Sequence, residues 1–419
     1  MKVTWLHLTD LHRGMAPQRG LWANVEEQFF ADLTKLHERH GTIDLILFTG
    51  DFVEKGSKAE YEKLNVTLSR LRDHLAKLGS NPSLLGVPGN HDLVRPKSAK
   101  AEVQVLADWE SKPEVQAEFW HNTKSSYRKL INKAFANYTT WLETNPFKKL
   151  STRPGLLPGD FAVVFEKQNI TIGIVGLNST FLQLTSGNFE GRLALGLEQL
   201  ITVCGEDFAD WFKKQRVNLL MTHQPPGWLT GEALNFLNGE IAPVGRFALH
   251  LFGHMHEGNL SNIATGGTTG RLYLQTRSLF GLDQWGDQKQ RSHGYTVGSL
   301  SFNLGAETAT LRLWPRTAQK HQAGHWHMVA DPTFSLLQDD GTEGKLVRLN
   351  PRVPAAIKRL NHQTGKGDIT TELFRVLILA TDTDLGNARS AVVHYLTTAL
   401  GVEALPGSGI DIPHRALPT

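Results

Sequence analysis

The feature that most constrains this chain is a set of short polar clusters, each of which follows an apolar segment. Val3–Leu8, Leu45–Phe48 and Leu84–Val87 precede the first three clusters, and Val217–Met221 and Phe247–Phe252 precede the last two. Short apolar runs of this kind, bounded by turn residues, are typical of buried strands. The clusters themselves are Asp10-Leu11-His12, Gly50-Asp51, Gly89-Asn90-His91-Asp92, His223, and Gly253-His254-Met255-His256. They are therefore predicted to lie at strand ends.

The residue types in these clusters are those that bind divalent metals. Asp10 and Asp51 supply carboxylates, Asn90 supplies an amide oxygen, and imidazoles come from His12, His223, His254 and His256. Mixed carboxylate and imidazole ligands suit borderline first-row metals better than calcium or a thiolate site. Two such metals about 3.5–4 Å apart hold the attacking and leaving oxygens of an in-line phosphoryl displacement. The sequence therefore predicts a dinuclear phosphoesterase.

Helical patterns separate the strands and favour an α/β fold. Apolar residues recur every three or four positions over residues 21–36 and again over residues 61–78. The repeated order of strand, polar loop and helix places the ligands at the C-terminal ends of strands, where α/β sheets carry their sites. Further strands are predicted near residues 170–177, 272–275, 295–300 and 308–313.

The five clusters, in this order, resemble the calcineurin-like metallophosphoesterase superfamily. That resemblance implies a two-sheet sandwich flanked by helices, and the last three predicted strands would then complete the second sheet. Thr49-Gly50-Asp51 and Pro88-Gly89-Asn90-His91-Asp92 resemble the phosphodiesterase and nuclease branch. The protein phosphatases of the superfamily carry an arginine before the glycine and a glutamate at the position of Asp92, so that branch is not expected.

The resemblance also implies a role for each cluster residue. One metal would take Asp10, His12, Asp51 and His256, and the other would take Asp51, Asn90, His223 and His254, with Asp51 bridging. A water between the metals would lose its proton and attack phosphorus. His91 would stabilise or protonate the leaving oxygen. Glu54 would orient His91, and Asp92 would either support the site or stabilise its turn. We expect Mn²⁺, with Fe, Zn or Ni as alternatives.

The substrate is less constrained than the chemistry. A nucleotide or a nucleic acid is expected, with Arg13 contacting phosphate oxygens and Trp228 stacking on a base. A net charge of +3 gives no strong polyanion-binding field. The alternatives are a catalytically silent scaffold with this fold and a regulated effector domain of a larger signalling or defence protein. His321, His325 and His327 have the spacing of a small metal site but lack a supporting motif.

The chain is predicted to contain a phosphoesterase domain over residues 1–315. A helical insertion over about 93–160 would follow His91 directly and serve either as a lid or as an ordinary packed hairpin. Residues 316–370 would form an extension or linker. Residues 371–419 would begin a small C-terminal α/β module, because Phe374–Ala380 is strand-like and Ala388–Leu400 is helical in pattern. That module is too short for its own core, so it would either pack on the phosphoesterase domain or begin the next part of a longer native chain, and the second is expected.

Composition limits the compartment and excludes some classes of protein. The single cysteine, Cys204, rules out an intrachain disulfide and fits a reducing cytoplasm. No apolar stretch approaches the ~20 residues of a membrane helix, and the first residues lack the apolar core of a signal peptide. A cytoplasmic enzyme with no membrane contact is therefore expected.

Overall fold

The central strands of this chain, such as Leu45–Phe48 and Val217–Met221, are buried along their whole length because both faces of each sheet are covered there. The computed structural model describes residues 1–16, 18–264, 266–285, 288–320 and 326–351. Its strands are β1 (Lys2–Leu8), β2 (Leu45–Phe48), β3 (Ser83–Gly86), β4 (Arg153–Pro154), β5 (Phe161–Lys167), β6 (Ile170–Gly176), β7 (Val217–Met221), β8 (Leu249–Phe252), β9 (Asn259–Ile263), β10 (Arg271–Gln275), β11 (Gly281–Trp285), β12 (Gln288–Ser292), β13 (Gly294–Asn303), β14 (Thr308–Lys320), β15 (Trp326–Ala330) and β16 (Lys345–Arg348).

The helices lie between and outside the strands. They are α1 (Gln18–His40), α2 (Lys58–Lys77), α3 (Ala101–Ala107), α4 (Pro113–His121), α5 (Ser126–Ala134), α6 (Ala136–Thr144), α7 (Leu197–Cys204), α8 (Phe208–Lys214) and α9 (Gly231–Phe236). A π-helical turn, Leu237–Ile241, continues α9. Ser57 and Glu60 form a capping box at the start of α2, which satisfies backbone N–H groups that the helix leaves unpaired. Within the described residues, no helix is long and apolar enough to cross a membrane.

Two seven-stranded sheets form the centre of the fold. The first has the order β15-β14-β13-β1-β2-β3, with β16 also pairing with β14. The second has the order β4-β5-β6-β7-β8-β10-β9. In the first sheet, β1 pairs parallel with β2, and β2 with β3. In the second sheet, the neighbours β6, β7, β8 and β10 are parallel to one another. This mixed α/β architecture confirms the predicted two-sheet sandwich.

The two faces of each strand enter different apolar layers. Val3 and Trp5 of β1 pack between the sheets, where they join Leu219 of β7. Leu6 and Leu8 point the other way and pack with the α1 residues Phe29 and Leu33, among others. Because both faces are covered, each central strand reads as a continuous apolar run without alternation.

The predicted assignment of the later strands to sheets was partly wrong. Arg271–Gln275 lies in the second sheet, as expected, but Gly294–Asn303 and Thr308–Lys320 lie in the first sheet beside β1. Strand β14 also continues through Pro315, and β15 and β16 pair with it. The Pro315 carbonyl accepts a hydrogen bond from the N–H of Asp331, one residue past the end of β15. Pro315 therefore lies where the pairing of β14 with β15 ends, and a missing N–H is tolerated at that position.

The segment between β3 and β5 is helical, as its pattern indicates. Helices α3 to α6 follow one another between Ala101 and Thr144. Phe119 of α4 stacks on Phe181, which lies after β6, at a ring distance of 5.1 Å. The role of this helical segment as a lid stays a prediction. The predicted C-terminal module and two of the three spaced histidines, His321 and His325, lie outside the described residues, whereas His327 lies in β15.

Candidate metal centre

The five polar clusters meet at one edge of the sandwich, where parallel strands of both sheets end. Three backbone hydrogen bonds join the loops there: Asp10 N–H to Gly50 O at 2.9 Å, His12 N–H to Asp51 O at 3.0 Å, and Gly253 N–H to His223 O at 3.0 Å. The last of these links the loops after β7 and β8. The strand order therefore brings together residues that are up to 246 positions apart, from Asp10 to His256.

Several cluster residues have a strained backbone. The φ angles are positive at Asp10 (51°), His12 (46°), Asp51 (55°), His254 (73°) and His256 (59°). A residue other than glycine in this left-handed region costs on the order of 1–3 kcal/mol unless its surroundings impose the conformation. Concentration of this strain at one edge is typical of a functional site, because a fold retains it where particular side chains must be aimed at one point.

Two glycines allow the loops to approach closely. A Cβ atom on Gly253 would lie 1.9 Å from Thr9 Oγ1, and one on Gly89 would lie 2.2 Å from Asp51 Oδ1. Both distances are far below van der Waals contact, so only glycine fits at these positions.

The first group of candidate ligands comprises Asp10, His12 and His256. Ligand atoms of these three residues lie within 4.8 Å of one another. Asp10 Oδ1 is 3.4 Å from His256 Nε2 and 3.8 Å from His12 Nε2, and the two Nε2 atoms are 3.3 Å apart. The other carboxylate oxygen, Asp10 Oδ2, is held by the Thr9 hydroxyl at 2.5 Å and the His254 N–H at 3.0 Å.

The second group comprises Asp51, His223 and His254, again with ligand atoms within 4.8 Å. His223 Nε2 lies 3.3 Å from Asp51 Oδ2, 3.1 Å from Asn90 Oδ1 and 3.2 Å from His254 Nδ1. The opposite nitrogen, His223 Nδ1, lies 2.7 Å from the Thr49 carbonyl, to which it donates. This contact fixes the ring with Nε2 directed into the group.

Asp51 belongs to both groups. Its Oδ2 lies 3.3 Å from His223 Nε2 and 3.8 Å from His12 Nε2. Its Oδ1 accepts the His91 N–H at 2.8 Å, which orients the carboxylate. One carboxylate oxygen therefore faces imidazoles from both groups, the arrangement expected of a bridging ligand.

These donor sets fit divalent cations. Asp10 Oδ1 is buried and accepts no hydrogen bond from any residue that the structure describes, although His256 Nε2 lies 3.4 Å away. Imidazole nitrogens face one another at 3.2 and 3.3 Å, where at most one of each pair can carry a hydrogen toward the other. Carboxylate oxygens and imidazole nitrogens that converge in this way suit first-row metals.

The carboxylates of the two ligand groups dominate the electrostatics of the candidate metal centre. Burial alone would lower the pKa of His223, but Asp51 outweighs burial and raises it to about 9. Burial and the neighbouring His223 together lower the pKa of His254 to about 3. Burial would raise the pKa of Asp10, yet the surrounding histidines bring it down to about 2. For Asp51, too, burial would raise the pKa, but His223 and His91 hold it well below its usual value, so both carboxylates are ionised, as metal ligands must be.

His91 and Glu54 lie beside the first group. The rings of His91 and His12 are 4.7 Å apart, and a ligand atom of His91 lies within 4.8 Å of those of His12 and Asp51. His91 Nδ1 donates to the backbone carbonyl of Glu54 at 2.8 Å. The Glu54 carboxylate is closer to His12 Nδ1, at 3.2 Å, than to His91 Nδ1, at 3.7 Å. Glu54 therefore orients His91 through its backbone, while its carboxylate contacts His12.

Asp92 is a turn residue in this structure. Its carboxylate is fully buried and accepts the N–H groups of Gly89 at 2.7 Å and Val53 at 3.1 Å. Burial and the nearby Asp51 raise its pKa to about 8. Of the two roles considered for Asp92, these bonds favour stabilisation of the turn that presents Asn90 and His91.

The two predicted substrate residues are placed differently. Trp228 packs edge-on against His254, with ring centroids 4.0 Å apart, and so lines the second group. Arg13 donates to Gln18 at the start of α1, at 3.3 Å, and is half-buried there. The structure brings Trp228 to the cluster, whereas the Arg13 side chain contacts α1.

Two residues that position the ligands were not identified from the sequence. Thr9 holds Asp10 Oδ2, and the carbonyl of Thr49 holds His223. Both threonines stand directly before a cluster, Thr9 before Asp10 and Thr49 before Gly50. A hydroxylic residue at the end of the first apolar run was the available signal for Thr9, whereas Thr49 acts through its backbone and had none.

Comparison with known proteins agrees with this geometry. A family model described as calcineurin-like phosphoesterase matches residues 3–258. The chain belongs to the calcineurin-like phosphoesterase family. Membership implies divalent metal ions, and the two ligand groups described above are the candidate positions for them. No curated protein sequence matches the chain significantly.

Solved structures similar to this calcineurin-like phosphoesterase are remote in sequence. One is GAP50, the anchor in the inner membrane complex of Plasmodium (12% identity, TM-score 0.37, covering 78% of this chain and 88% of that one). A second is a purple acid phosphatase from yellow lupin, Lupinus luteus, seeds (12% identity, TM-score 0.40, 78% and 53%). A third is the sulfate thiohydrolase SoxB of Thermus thermophilus in complex with glycerol (13% identity, TM-score 0.34, 69% and 56%).

Proposed function

We propose that this calcineurin-like phosphoesterase is a dinuclear metal-dependent phosphodiesterase that acts on a nucleotide or a nucleic acid. The position of Asp51 carries the proposal, because one oxygen of its buried carboxylate faces imidazoles of both ligand groups. A carboxylate in that position can hold two cations side by side, which is the requirement for two-metal phosphoryl chemistry.

The ligands follow from the two groups. Asp10, His12 and His256 would hold one cation, Asn90, His223 and His254 would hold the other, and Asp51 would bridge them. When bound, the cations would lower the pKa of a bound water to a value near neutral and would offset negative charge on the phosphate. Mn²⁺ is the metal we propose, since mixed oxygen and imidazole ligands suit it.

The remaining residues act on the substrate. His91 would protonate or stabilise the leaving oxygen, as it lies beside the first group and its Nδ1 is fixed by the Glu54 carbonyl, which leaves Nε2 for the substrate. Glu54 would hold the rings of His12 and His91 in place. Trp228, against His254, would offer an aromatic surface to the group esterified to the phosphate.

The preference for a diester is supported by the sequence around two ligands. Thr49 precedes Gly50-Asp51, and Asp92 follows His91, where the protein phosphatases of this family have arginine and glutamate. A phosphodiester carries one negative charge and a monoester up to two. The near-balanced charge of the chain is in keeping with the substrate that carries less negative charge, the diester.

Hydrolysis by metal-stripped protein tests the proposal directly. Bis(p-nitrophenyl) phosphate and p-nitrophenyl phosphate would be compared with and without added Mn²⁺, using wild type, Asp51→Asn and the exposed control Asp73→Asn. We expect Mn²⁺-dependent turnover of the diester that Asp51→Asn loses and Asp73→Asn retains. Faster turnover of the monoester would contradict the diesterase proposal, and no metal-dependent turnover of either would contradict the dinuclear enzyme.

A further inference from the structure

A cavity of about 400 Å³ adjoins the candidate metal centre on the outer face of the second sheet. Its floor includes Phe252 and Tyr273, and Pro225 forms part of one wall. Phe252 stands immediately before Gly253-His254, and Pro225 stands two residues after His223. Its volume falls within the roughly 300–1,000 Å³ of small-molecule sites. The loop after β7, which carries His223, and the end of β8, which leads into Gly253-His254, therefore also form this cavity.

The turn from Pro225 to Trp228 separates the cavity from the metal centre. The Trp228 N–H donates to the Pro225 carbonyl at 3.0 Å, which closes the turn. Trp228 contacts His254 on one side, while Pro225 and Gly227 line the cavity on the other. A substrate with its phosphate at the metal centre could therefore extend across this turn and place an organic group in the cavity.

Hydrogen bonds within the protein hold the walls in position. Arg271 joins strand β10 to the π-helical turn by donating to the carbonyls of Asn238 at 2.8 Å and Ala242 at 2.9 Å. Gln275 donates to the Glu257 carbonyl at 2.9 Å, one residue after His256. Because these bonds tie β10 both to the π-helical turn and to a ligand loop, the cavity is preformed.

Two amide side chains border the cavity and are open to a ligand from solvent. Asn238 is half-buried in the π-helical turn and Asn259 is exposed on β9; both line the cavity, and within the described residues neither side chain bonds to another protein group. Among the described lining residues none carries a carboxylate, and Arg271 is engaged by the carbonyls. The cavity therefore offers flat aromatic and proline surfaces together with neutral donors and acceptors.

We propose that this cavity binds a nucleobase of the substrate, with Asn238 and Asn259 contacting the edge of the base. Paired donors and acceptors of amide side chains match the edges of bases, and aromatic surfaces accommodate their planes. This inference rests on the proposed function for its link to catalysis, since it names the substrate class of the same site. The binding itself requires no metal.

Nucleoside binding to full-length, metal-stripped protein tests the proposal without relying on turnover. Adenosine, guanosine, cytidine and uridine would each be titrated by calorimetry into wild type, Asn238→Ala/Asn259→Ala and Asn262→Ala. Asn262 is the matched control, because it lies on the same strand as Asn259 but does not line this cavity. We expect at least one nucleoside to bind and the double variant to weaken it by about tenfold or more, since two hydrogen bonds are lost.

The proposal is overturned if no nucleoside binds, or if the double variant binds as tightly as Asn262→Ala. Hydrolysis of bis(p-nitrophenyl) phosphate by the same preparation separates the two proposals. Diester turnover without nucleoside binding overturns the base site alone. Nucleoside binding that the double variant loses, in protein without any turnover, supports the base site and counts against the phosphodiesterase.

A parallel titration distinguishes a free nucleotide from a base within a nucleic acid. A nucleoside 5′-monophosphate and a short single-stranded oligonucleotide would be compared at low and high salt. Tighter binding of the oligonucleotide that falls steeply with salt indicates nucleic acid, because phosphate contacts release counterions. Equal binding indicates a nucleotide, and binding of neither overturns the proposal.

Discussion

Two histidines on neighbouring strands of the second sheet show how the ligand edge differs from the sheet interior. His223 follows β7 at the edge, and His250 lies within β8, and both side chains are buried. The pKa of His250 falls to about 3 because burial disfavours its charged form. For His223 burial acts the same way, but Asp51 outweighs it and the pKa rises to about 9. The neighbouring side chain therefore decides whether a buried imidazole is charged.

The partners differ because the two positions have different neighbours. His250 Nε2 lies 2.8 Å from the Thr222 hydroxyl, a neutral group. His223 Nε2 lies 3.3 Å from a carboxylate oxygen of Asp51. The interior thus accommodates a neutral imidazole through an uncharged bond, whereas the edge concentrates buried negative charge that a cation must offset. In the metal-free protein the proton on His223 meets that requirement, and in the holoenzyme metal ions would replace it.

The largest expected effect comes from removing the shared carboxylate. Asp51→Asn should lower Mn²⁺-dependent diester hydrolysis by about 10³-fold or more, since both ligand groups lose a member. Asparagine tolerates the positive φ at this position, so the backbone need not change. Steady-state kinetics and metal analysis would measure the loss. Turnover within about tenfold of wild type would show that Asp51 does not bridge.

A smaller loss of activity is expected for His91, which is proposed to act on the substrate rather than to bind metal. His91→Ala should lower kcat by about 10²-fold, the lower end of the range typical of a lost general acid, while metal content stays at two per chain. Elemental analysis beside kinetics would separate the two effects. If the variant instead lost metal, His91 would be a ligand and its assigned role would be wrong.

The contrast between the two histidines can be broken directly. In metal-free Asp51→Asn, burial should prevail at His223 and bring its pKa from about 9 to below the usual 6.5. The pKa of His250 should stay near 3. Titration of the imidazole nitrogens by NMR measures both in one experiment. A pKa of His223 that remained above 6.5 in the variant would point to another source of its charge.

The smallest effect concerns stability in acid. His250 is neutral in the folded protein down to about pH 3, whereas in the unfolded chain it binds a proton below about pH 6.5. Its contribution to stability is therefore present above pH 6.5 and is lost as the pH falls toward 3. His250→Gln, which keeps a donor for Thr222, should reduce the slope of unfolding free energy against pH by up to about 1.4 kcal/mol per pH unit. Urea denaturation between pH 4 and 6 would measure the slope, and an unchanged slope would contradict a neutral His250.

Local pattern was enough to predict the strands that carry the ligands. The bounds of β2 and β7 agree with the apolar runs Leu45–Phe48 and Val217–Met221, because each run is ended by polar or turn residues. The seven predicted ligands converge at one edge because parallel strands end together. That they bind metal stays a prediction.

Features that depend on distant partners were not predictable in the same way. The choice of sheet for Gly294–Asn303 depends on pairing with β1, nearly 300 residues earlier, and nothing local to the strand records it. The Glu54 carboxylate contacts His12 rather than His91 because of how the loop after β2 turns, which spacing alone does not specify. The cavity beside Phe252 is formed by three strands, the π-helical turn and the loop after β7, which are far apart in sequence, and it has no motif.

The most direct test of the account is electron paramagnetic resonance of the Mn²⁺-loaded full-length protein. Two manganese ions bridged by Asp51 should be exchange-coupled, with two ions bound per chain. Asp51→Asn should abolish the coupled signal, and Asp73→Asn should retain it. A single uncoupled Mn²⁺ per chain in the wild-type protein would contradict the dinuclear site and, with it, the proposed chemistry.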